Sequence, residues 1–265
     1  MFVMHGKLRS SELSLIFGLG GFMSKVFLYS FLLITFGVGC FAAGWYLHPF
    51  VQGTKPLPVL GQVPDYKLTD QLGRRVSSTS FKGKVRVVTF LFPYCTSYCP
   101  LIAHNFVSLE RVLKTSGIAD RVQLVAFDVD PENTGPLQMR KFQEQYGWDP
   151  EDTHWEFLTG TPDEIRRIVA GVYHVYYKKV SDESEDEEVA KQKREGTYVP
   201  QPVVRNSLAD EASVDYDIVH NDALAIVDTE GRIRKYFADA DRVSDEQIMD
   251  VITRLLPPGS KSASP

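Results

Sequence analysis

The sequence has little cysteine and no excess of basic charge, and each shortage excludes a class of protein. Only three cysteines occur among 265 residues, and Cys40 lies in an apolar stretch far from the other two. A small fold held by several disulfide bonds is therefore excluded. The net charge is −5, without a basic cluster, so we set nucleic-acid binding aside. The 43% hydrophobic and 24% charged residues are ordinary for a globular domain.

One long apolar run lies near the N-terminus. Residues 26–47 read VFLYSFLLITFGVGCFAAGWYL, without a charged residue, which is long enough to cross a bilayer as a helix. Three basic residues precede it, namely Lys7, Arg9 and Lys25. The positive-inside rule therefore predicts a cytoplasmic segment over residues 1–25, a transmembrane anchor over 26–47, and an exported remainder.

Other interpretations of this end stay open. The small residues near Ala42 and Ala43 would suit cleavage of a signal peptide. Residues 37–40 (Gly-Val-Gly-Cys) are similar to a bacterial lipobox, which would place a lipid on Cys40. Met23 would make a natural start, in which case residues 1–22 are an extension.

The rest of the chain is predicted to form one exported α/β domain. Residues 48–63, rich in proline and glycine, are interpreted as a linker, residues 64–258 as the domain, and residues 259–265 as a flexible tail. Apolar periodicity predicts strands over 66–70, 75–77, 87–92, 122–129, 155–158, 223–228 and 233–237. It predicts helices over 99–114, 136–146, 162–172 and 244–256. Strand–helix units followed by a terminal hairpin and helix indicate the thioredoxin-like order, a sheet covered on both faces.

Two thiols follow the first long strand. Cys95 and Cys99 are four positions apart, and Pro100 suits the first turn of the helix after them. A helix N-terminus favours thiolate over thiol, and four-residue spacing on a helical turn brings both sulfurs to one face. A soft thiolate pair favours Cu(I), zinc or redox chemistry. Buried structural cysteines and a structural disulfide remain alternatives.

A third ligand would most naturally be an imidazole. Of the six histidines, His220 is expected in a loop just before a core strand, beside the thiol loop. The alternative is an ordinary loop histidine. His104, five residues past Cys99, is expected to face elsewhere on the helix.

A polar insertion is predicted over residues 178–217. Six acids occur in the seven positions 182–188, with little periodicity around them. The composition favours a solvated, mobile loop. A docking surface for a basic partner is the functional alternative.

From about residue 64 to 256 the chain resembles the Sco/SenC proteins, the membrane-anchored copper proteins of cytochrome c oxidase assembly. The matching features, in order, are Phe81–Lys84, Cys95–Pro100, Asp128–Glu132, and His220 ahead of a strand and the turn Asp228–Gly231. The resemblance implies that Cys95, Cys99 and His220 bind one copper ion, with Asp130 a supporting acid. It implies a metallochaperone of the bacterial inner membrane, its domain in the periplasm, which delivers copper to the Cu-A-bearing oxidase subunit or its assembly factors.

The chain also departs from that family pattern. Phe92-Pro93-Tyr94 stands where a Gly-Tyr pair is usual, Asn133-Thr134 lacks a second acid, and the insertion is longer. These differences leave partner choice open. Two other functions also remain: a thiol-disulfide oxidoreductase that reduces cysteines of an oxidase subunit through Cys95 and Cys99, and a peroxide-reducing or redox-signalling protein of similar fold.

Overall fold

The computed structural model describes residues 28–42, 45 and 56–256. The chain divides into two units, Met1–Pro56 and Leu57–Pro265. In the first, residues 28–42 form helix α1. Within the described residues, no helix is both long and apolar enough to cross a membrane. The predicted segment 1–25 and tail 259–265, and parts of the predicted anchor 26–47 and linker 48–63, lie outside the described residues.

The second unit is a mixed α/β domain, as predicted. Its strands are β1 (Gly61–Gln62), β2 (Lys67–Thr69), β3 (Arg75–Ser77), β4 (Val85–Leu91), β5 (Val122–Asp128), β6 (Trp155–Leu158), β7 (Tyr177–Ser181), β8 (Tyr216–His220), β9 (Leu224–Val227) and β10 (Arg232–Phe237). Its α-helices are α2 (Cys99–Thr115), α3 (Pro136–Gln145), α4 (Pro162–Val169), α5 (Asp182–Glu195), α6 (Ser207–Ala212) and α7 (Asp245–Leu255). Short 3₁₀ turns cover Ser78–Phe81 and Ala119–Arg121.

Six strands form the central sheet in the order β1-β10-β9-β4-β5-β6. β4, β5 and β6 are parallel, whereas β9 pairs antiparallel with β4, and β10 antiparallel with β9. β1 adds antiparallel to β10, so the last residues of the predicted linker form an edge strand of the domain. β2 and β3 form the predicted hairpin beside this sheet.

β4 and β5 form the centre of the core, and their sequences are mostly apolar. Every residue of both strands is buried, as expected of central parallel strands covered on both faces. α2 turns one apolar stripe inward, with buried residues at three- and four-residue spacing: Cys99, Ile102, Ala103, Phe106, Leu109 and Leu113. The first residue of this stripe is Cys99, so one of the two thiols is part of the core.

The insertion is structured, and its interpretation as a loop was wrong. β7 pairs antiparallel with β8, from Tyr177 opposite His220 to Ser181 opposite Tyr216. α5 and α6 lie between these two strands in the sequence. We call this two-stranded element the ribbon.

The acidic run forms helix α5 because both of its ends are capped. The Ser181 hydroxyl accepts a hydrogen bond from the Ser184 amide at 3.3 Å, and the acids that follow lie at the positive end of the helix dipole. Lys193 and Arg194 lie in the last turn, and Gly196 ends the helix with a left-handed φ of 71°. Local capping therefore replaces the apolar periodicity that the insertion lacks.

Candidate metal centre

The two thiols lie where β4 passes into α2. Cys95 is in the connecting loop and is 4% exposed, and Cys99 is the first residue of α2 and is fully buried. Both are free thiols in this structure. The predicted strand–cysteine–helix placement is therefore confirmed. We call residues 92–98 the thiol loop.

Cys95 has the more acidic thiol. The Cys99 thiol donates a hydrogen bond to the Cys95 sulfur and lowers the pKa of Cys95 below its ordinary value. The Ser97 hydroxyl lies 3.3 Å from the same sulfur, and the Ser97 amide donates to it at 3.4 Å. Donors that converge on one sulfur stabilise its thiolate and outweigh the cost of burial.

Cys99 is the opposite case. Burial raises the pKa of Cys99 well above its ordinary value, although the Phe92 amide donates to its sulfur at 3.4 Å. The two pKa values therefore move apart, that of Cys95 downward and that of Cys99 upward.

His220 reaches the thiols from the end of the ribbon. It is the last residue of β8, and not a loop residue as predicted. Its Nε2 lies 3.8 Å from the Cys99 sulfur, and its side chain is only 5% exposed. The structure thus brings together two residues that are 121 positions apart in the chain.

The His220 imidazole presents its Nε2 to Cys99. Burial lowers the pKa of His220, so the ring is neutral at neutral pH. Its Nδ1 lies 3.3 Å from the Asn221 carbonyl oxygen. A proton on Nδ1, donated to that carbonyl, leaves the Nε2 lone pair facing Cys99.

The donors suit a soft metal ion but are not closed around one. In the described part of the chain, one group of three metal-ligating side chains has all its ligand atoms within 4.8 Å: Glu110, Asp152 and His154. There the Lys114 ammonium lies 3.3 Å from Asp152 Oδ2 and also pairs with Glu110, so a lysine already supplies the positive charge.

The ligand atoms of Cys95, Cys99 and His220 do not all lie within 4.8 Å of one another. Joint binding of one ion by these three residues therefore requires a shift of the thiol loop or of the His220 ring.

Asp130, the predicted supporting acid, acts on the strand that carries His220. Its Oδ2 accepts a hydrogen bond from the Tyr216 hydroxyl at 2.6 Å, and its Oδ1 accepts one from Asn133 at 2.8 Å. Tyr216 begins β8 and its ring packs on Phe92 of the thiol loop, with centroids 5.7 Å apart. Asp130 therefore fixes the ribbon against the end of β5.

Sequence reasoning missed Asn206, which holds the thiol loop. Its side-chain amide donates to the carbonyls of Pro93 at 2.9 Å and Cys95 at 2.8 Å. Its Oδ1 accepts from the Leu208 amide at 3.1 Å and caps α6. Asn206 is 1% exposed. The sequence signal for it is the N-cap alone, because both carbonyl partners lie more than a hundred residues away.

Comparison with known proteins identifies the family. The SCO1/SenC family model matches residues 59–195, a range that contains both thiols but ends before His220. The SCO1 protein homolog of Bacillus subtilis (strain 168) is 32% identical over 129 residues, which are 48% of this chain and 65% of that protein. The match thus spans less than two thirds of the relative's length.

Solved structures agree in fold. Bradyrhizobium japonicum ScoI with copper bound is 26% identical, with a TM-score of 0.53 over 74% of this chain and 99% of that one. BsSco, described with a disulfide switch as a member of the Sco family of cytochrome c oxidase assembly proteins, is 23% identical. Its TM-score is 0.53 over 76% of this chain and 96% of BsSco, and it supports the fold alone. With its thioredoxin-like domain and paired thiols, the chain belongs to the SCO1/SenC family.

Proposed function

We propose that this chain is a membrane-anchored metallochaperone that binds one copper ion through Cys95, Cys99 and His220. It delivers copper to the Cu-A site of cytochrome c oxidase, or otherwise matures that site. Residues 26–47 anchor it in the bacterial inner membrane, with the domain in the periplasm. The observation that carries the proposal is the 3.8 Å approach of His220 Nε2 to the Cys99 sulfur.

The donor set supports Cu(I) as the cargo. Thiolates and a neutral imidazole are ligands that this soft ion prefers. The pKa of Cys95 is lowered, which eases formation of its thiolate, and the lowered pKa of His220 leaves a ring nitrogen unprotonated. Cys99 must lose its proton when the metal enters, so copper binding releases protons and tightens as the pH rises.

Release of copper requires an opening of the site. Both sulfurs are buried, so a partner's ligands reach the ion only after the thiol loop or the ribbon moves. Ser97, which lies between the cysteines in the chain and donates to Cys95, is partly exposed and marks the side from which a partner approaches.

The test is a Cu(I) titration of the reduced, full-length chain against a chromophoric chelator. Wild type is expected to bind a single copper ion, and Cys95→Ser to lose tight binding. His220→Ala is expected to weaken binding by at least about tenfold, the loss of one ligand being worth more than about 1.4 kcal/mol. His104→Ala, an exposed histidine on α2, is the matched control. Absence of copper binding by wild type, or equal binding by Cys95→Ser, would refute the proposal.

A thiol-disulfide oxidoreductase is the second candidate. The observation in its favour is that the pKa of Cys95 is lowered whereas that of Cys99 is raised. One thiol of the pair therefore ionises more readily than the other, which suits thiol exchange. His220→Ala discriminates the two. Copper binding should suffer, whereas reduction of a disulfide-bonded oxidase subunit should be largely retained if reduction is the function.

A further inference from the structure

A fully buried carboxyl group closes the turn that follows β5. Asp128 is 0% exposed, and its oxygens accept hydrogen bonds from the Asp130 amide at 3.0 Å and from the Thr159 hydroxyl at 2.9 Å. The Thr134 hydroxyl oxygen lies 2.8 Å from each of the two carboxyl oxygens. We call residues 128–134 the acid turn.

The contacts of Thr134 indicate that Asp128 carries a proton when the turn is closed. Besides both carboxyl oxygens of Asp128, the Thr134 hydroxyl oxygen lies 2.7 Å from the Asp130 carbonyl oxygen. A hydroxyl has one proton to donate, and carboxylate and carbonyl oxygens only accept. A protonated Asp128 donates to Thr134, which then donates to the Asp130 carbonyl. An ionised Asp128 leaves Thr134 with one proton for two acceptors.

The surroundings of Asp128 oppose its ionised form. Burial raises the pKa of Asp128 to about 6, the negative charge of Asp130 acts in the same direction, and the hydrogen bonds of the turn offset only part of this. The charge of Asp128 also acts on two phenols, those of Tyr177 on β7 and Tyr216 on β8. The charged side chains that act on Tyr177 in turn are Arg166 of α4 and Glu132 of the acid turn. Asp128 therefore loses its proton near pH 6, at the edge of the range that proteins meet.

The acid turn connects this carboxyl group to the copper ligands. Asp130, in the middle of the turn, accepts a hydrogen bond from the Tyr216 hydroxyl at 2.6 Å. The Tyr216 ring packs on Phe92, whose amide donates to the Cys99 sulfur at 3.4 Å. In the other direction, β8 leads from Tyr216 to His220. A shift of the turn at Asp130 therefore acts on a thiol and on the imidazole.

We propose that the acid turn is a proton-dependent latch, which holds the ribbon against the thiol loop while Asp128 is protonated and loosens it when that proton is lost. Loss of the proton leaves a buried negative charge beside Asp130 and draws the Thr134 hydroxyl away from the Asp130 carbonyl, and both changes weaken the closed turn. This regulation rests on the proposed copper binding and concerns the same site. The latch holds copper more firmly at acidic than at neutral pH, which opposes the effect of the ligands' own protons.

The first measurement is hydrogen exchange of the ribbon amides in the metal-free, full-length chain, with each rate divided by the intrinsic rate at that pH. The pKa of Asp128 is about 6 in the closed turn and takes its ordinary value of 3.8 once the turn opens. The open fraction of the ribbon should therefore rise about tenfold between about pH 5 and about pH 7. Neither Asp128→Asn, which stays neutral, nor Tyr216→Phe, which cuts the link to the turn, should show this rise.

Glu156→Gln is the matched control. Burial raises the pKa of Glu156 to about 7, but this acid lies on β6, 3.9 Å from Arg74, and makes no contact with the acid turn or the ribbon among its hydrogen bonds and ion pairs. The variant loses a buried titrating carboxyl group, as Asp128→Asn does, and should keep the wild-type rise.

The second measurement is the rate of Cu(I) release from the loaded full-length chain to a chelator. The ratio of the wild-type rate to the Asp128→Asn rate cancels the effect of the ligands' own protons. It should rise at least about threefold between about pH 5 and about pH 7, as part of the tenfold loosening reaches the ligands. For Tyr216→Phe against the double variant with Asp128→Asn, the ratio should stay constant, although carbon-13 NMR should still show Asp128 titrating.

The outcomes separate the latch from the proposed function. An equal rise of ribbon exchange in wild type and Asp128→Asn would overturn the latch, and so would an Asp128 that does not titrate between about pH 5 and about pH 7. If Asp128→Asn does not fold, wild type against Tyr216→Phe gives the same comparison. A constant release ratio beside a pH-dependent ribbon would overturn the regulation and leave copper binding intact. Absence of Cu(I) binding by wild type would overturn the copper function, whereas the exchange measurement, made without copper, still decides the latch.

Discussion

Removal of the Asn206 side chain should destabilise the fold and loosen the copper site together. Asn206→Ala deletes two hydrogen bonds to buried loop carbonyls and the cap of α6. At about 1 kcal/mol for each bond, the variant should lose about 3 kcal/mol of unfolding free energy. Asn206→Ser retains an oxygen for the cap but does not span the distance to the carbonyls, so it should lose about 2 kcal/mol. Urea denaturation followed by tryptophan fluorescence measures both losses.

The copper readout separates positioning of the thiols from general stability. Without the hydrogen bonds from Asn206, the thiol loop samples other conformations, so Cu(I) affinity should fall by about tenfold, or about 1.4 kcal/mol. Asn105→Ala is the matched control, because the Asn105 amide donates to the carbonyls of Ala240 and Asp241, on a different loop. It should lose about 1–2 kcal/mol of stability with unchanged copper affinity. Equal copper affinity of Asn206→Ala and Asn105→Ala would refute the positioning role, and unchanged stability of Asn206→Ala would refute the hydrogen-bond reasoning itself.

Three further predictions follow from the thiols and the acids near them. At neutral pH, iodoacetamide should modify Cys95 of the metal-free protein well before Cys99, because the two pKa values move apart; equal labelling in peptide mass spectrometry would contradict this. Burial raises the pKa of Asp128 from 3.8 to about 6, so the native state holds that proton more tightly than the unfolded chain. The contribution of Asp128 to the unfolding free energy should therefore fall by about 3 kcal/mol as the pH rises from about 4 to about 6. Asp128→Asn should lack this slope, and parallel pH curves for the two proteins would show that the group does not titrate there. Tyr216→Phe removes the hydroxyl that donates to Asp130 at 2.6 Å and should cost about 1–2 kcal/mol in urea denaturation; a loss under about 0.5 kcal/mol would mean that this bond does not hold the ribbon.

The α/β framework was predictable because its signals are local. The apolar run at β4 and the inward stripe of α2 are read from neighbouring residues, and their predicted bounds differ from the structure by at most two residues. The placement of Cys95 in a loop and Cys99 at a helix start follows from the same local signals. The apolar run over residues 26–47 is equally local, and the anchor there stays a prediction.

The insertion was mispredicted because helix caps and charged pairs hold its structure, and apolar periodicity does not show these. α5 is held by its caps and by charged pairs such as Lys191 with Glu188, 3.5 Å apart, and a polar composition without apolar spacing resembles a loop. The ribbon was missed for a similar reason. Its strands lie at the two ends of the insertion, and Tyr177 of one lies opposite His220 of the other. Neither strand shows in its own sequence which partner it will meet.

The sequence by itself determined that two thiols lie between the end of a strand and the start of a helix in an α/β domain, because strand, loop and helix preferences act over a few residues. Only the tertiary structure decided what meets that pair. The imidazole of His220 reaches Cys99, and the amide of Asn206 reaches the thiol loop, each across more than a hundred residues of chain. The physical reason is that side-chain proximity of this kind is set by strand pairing and packing, which no short stretch of sequence contains.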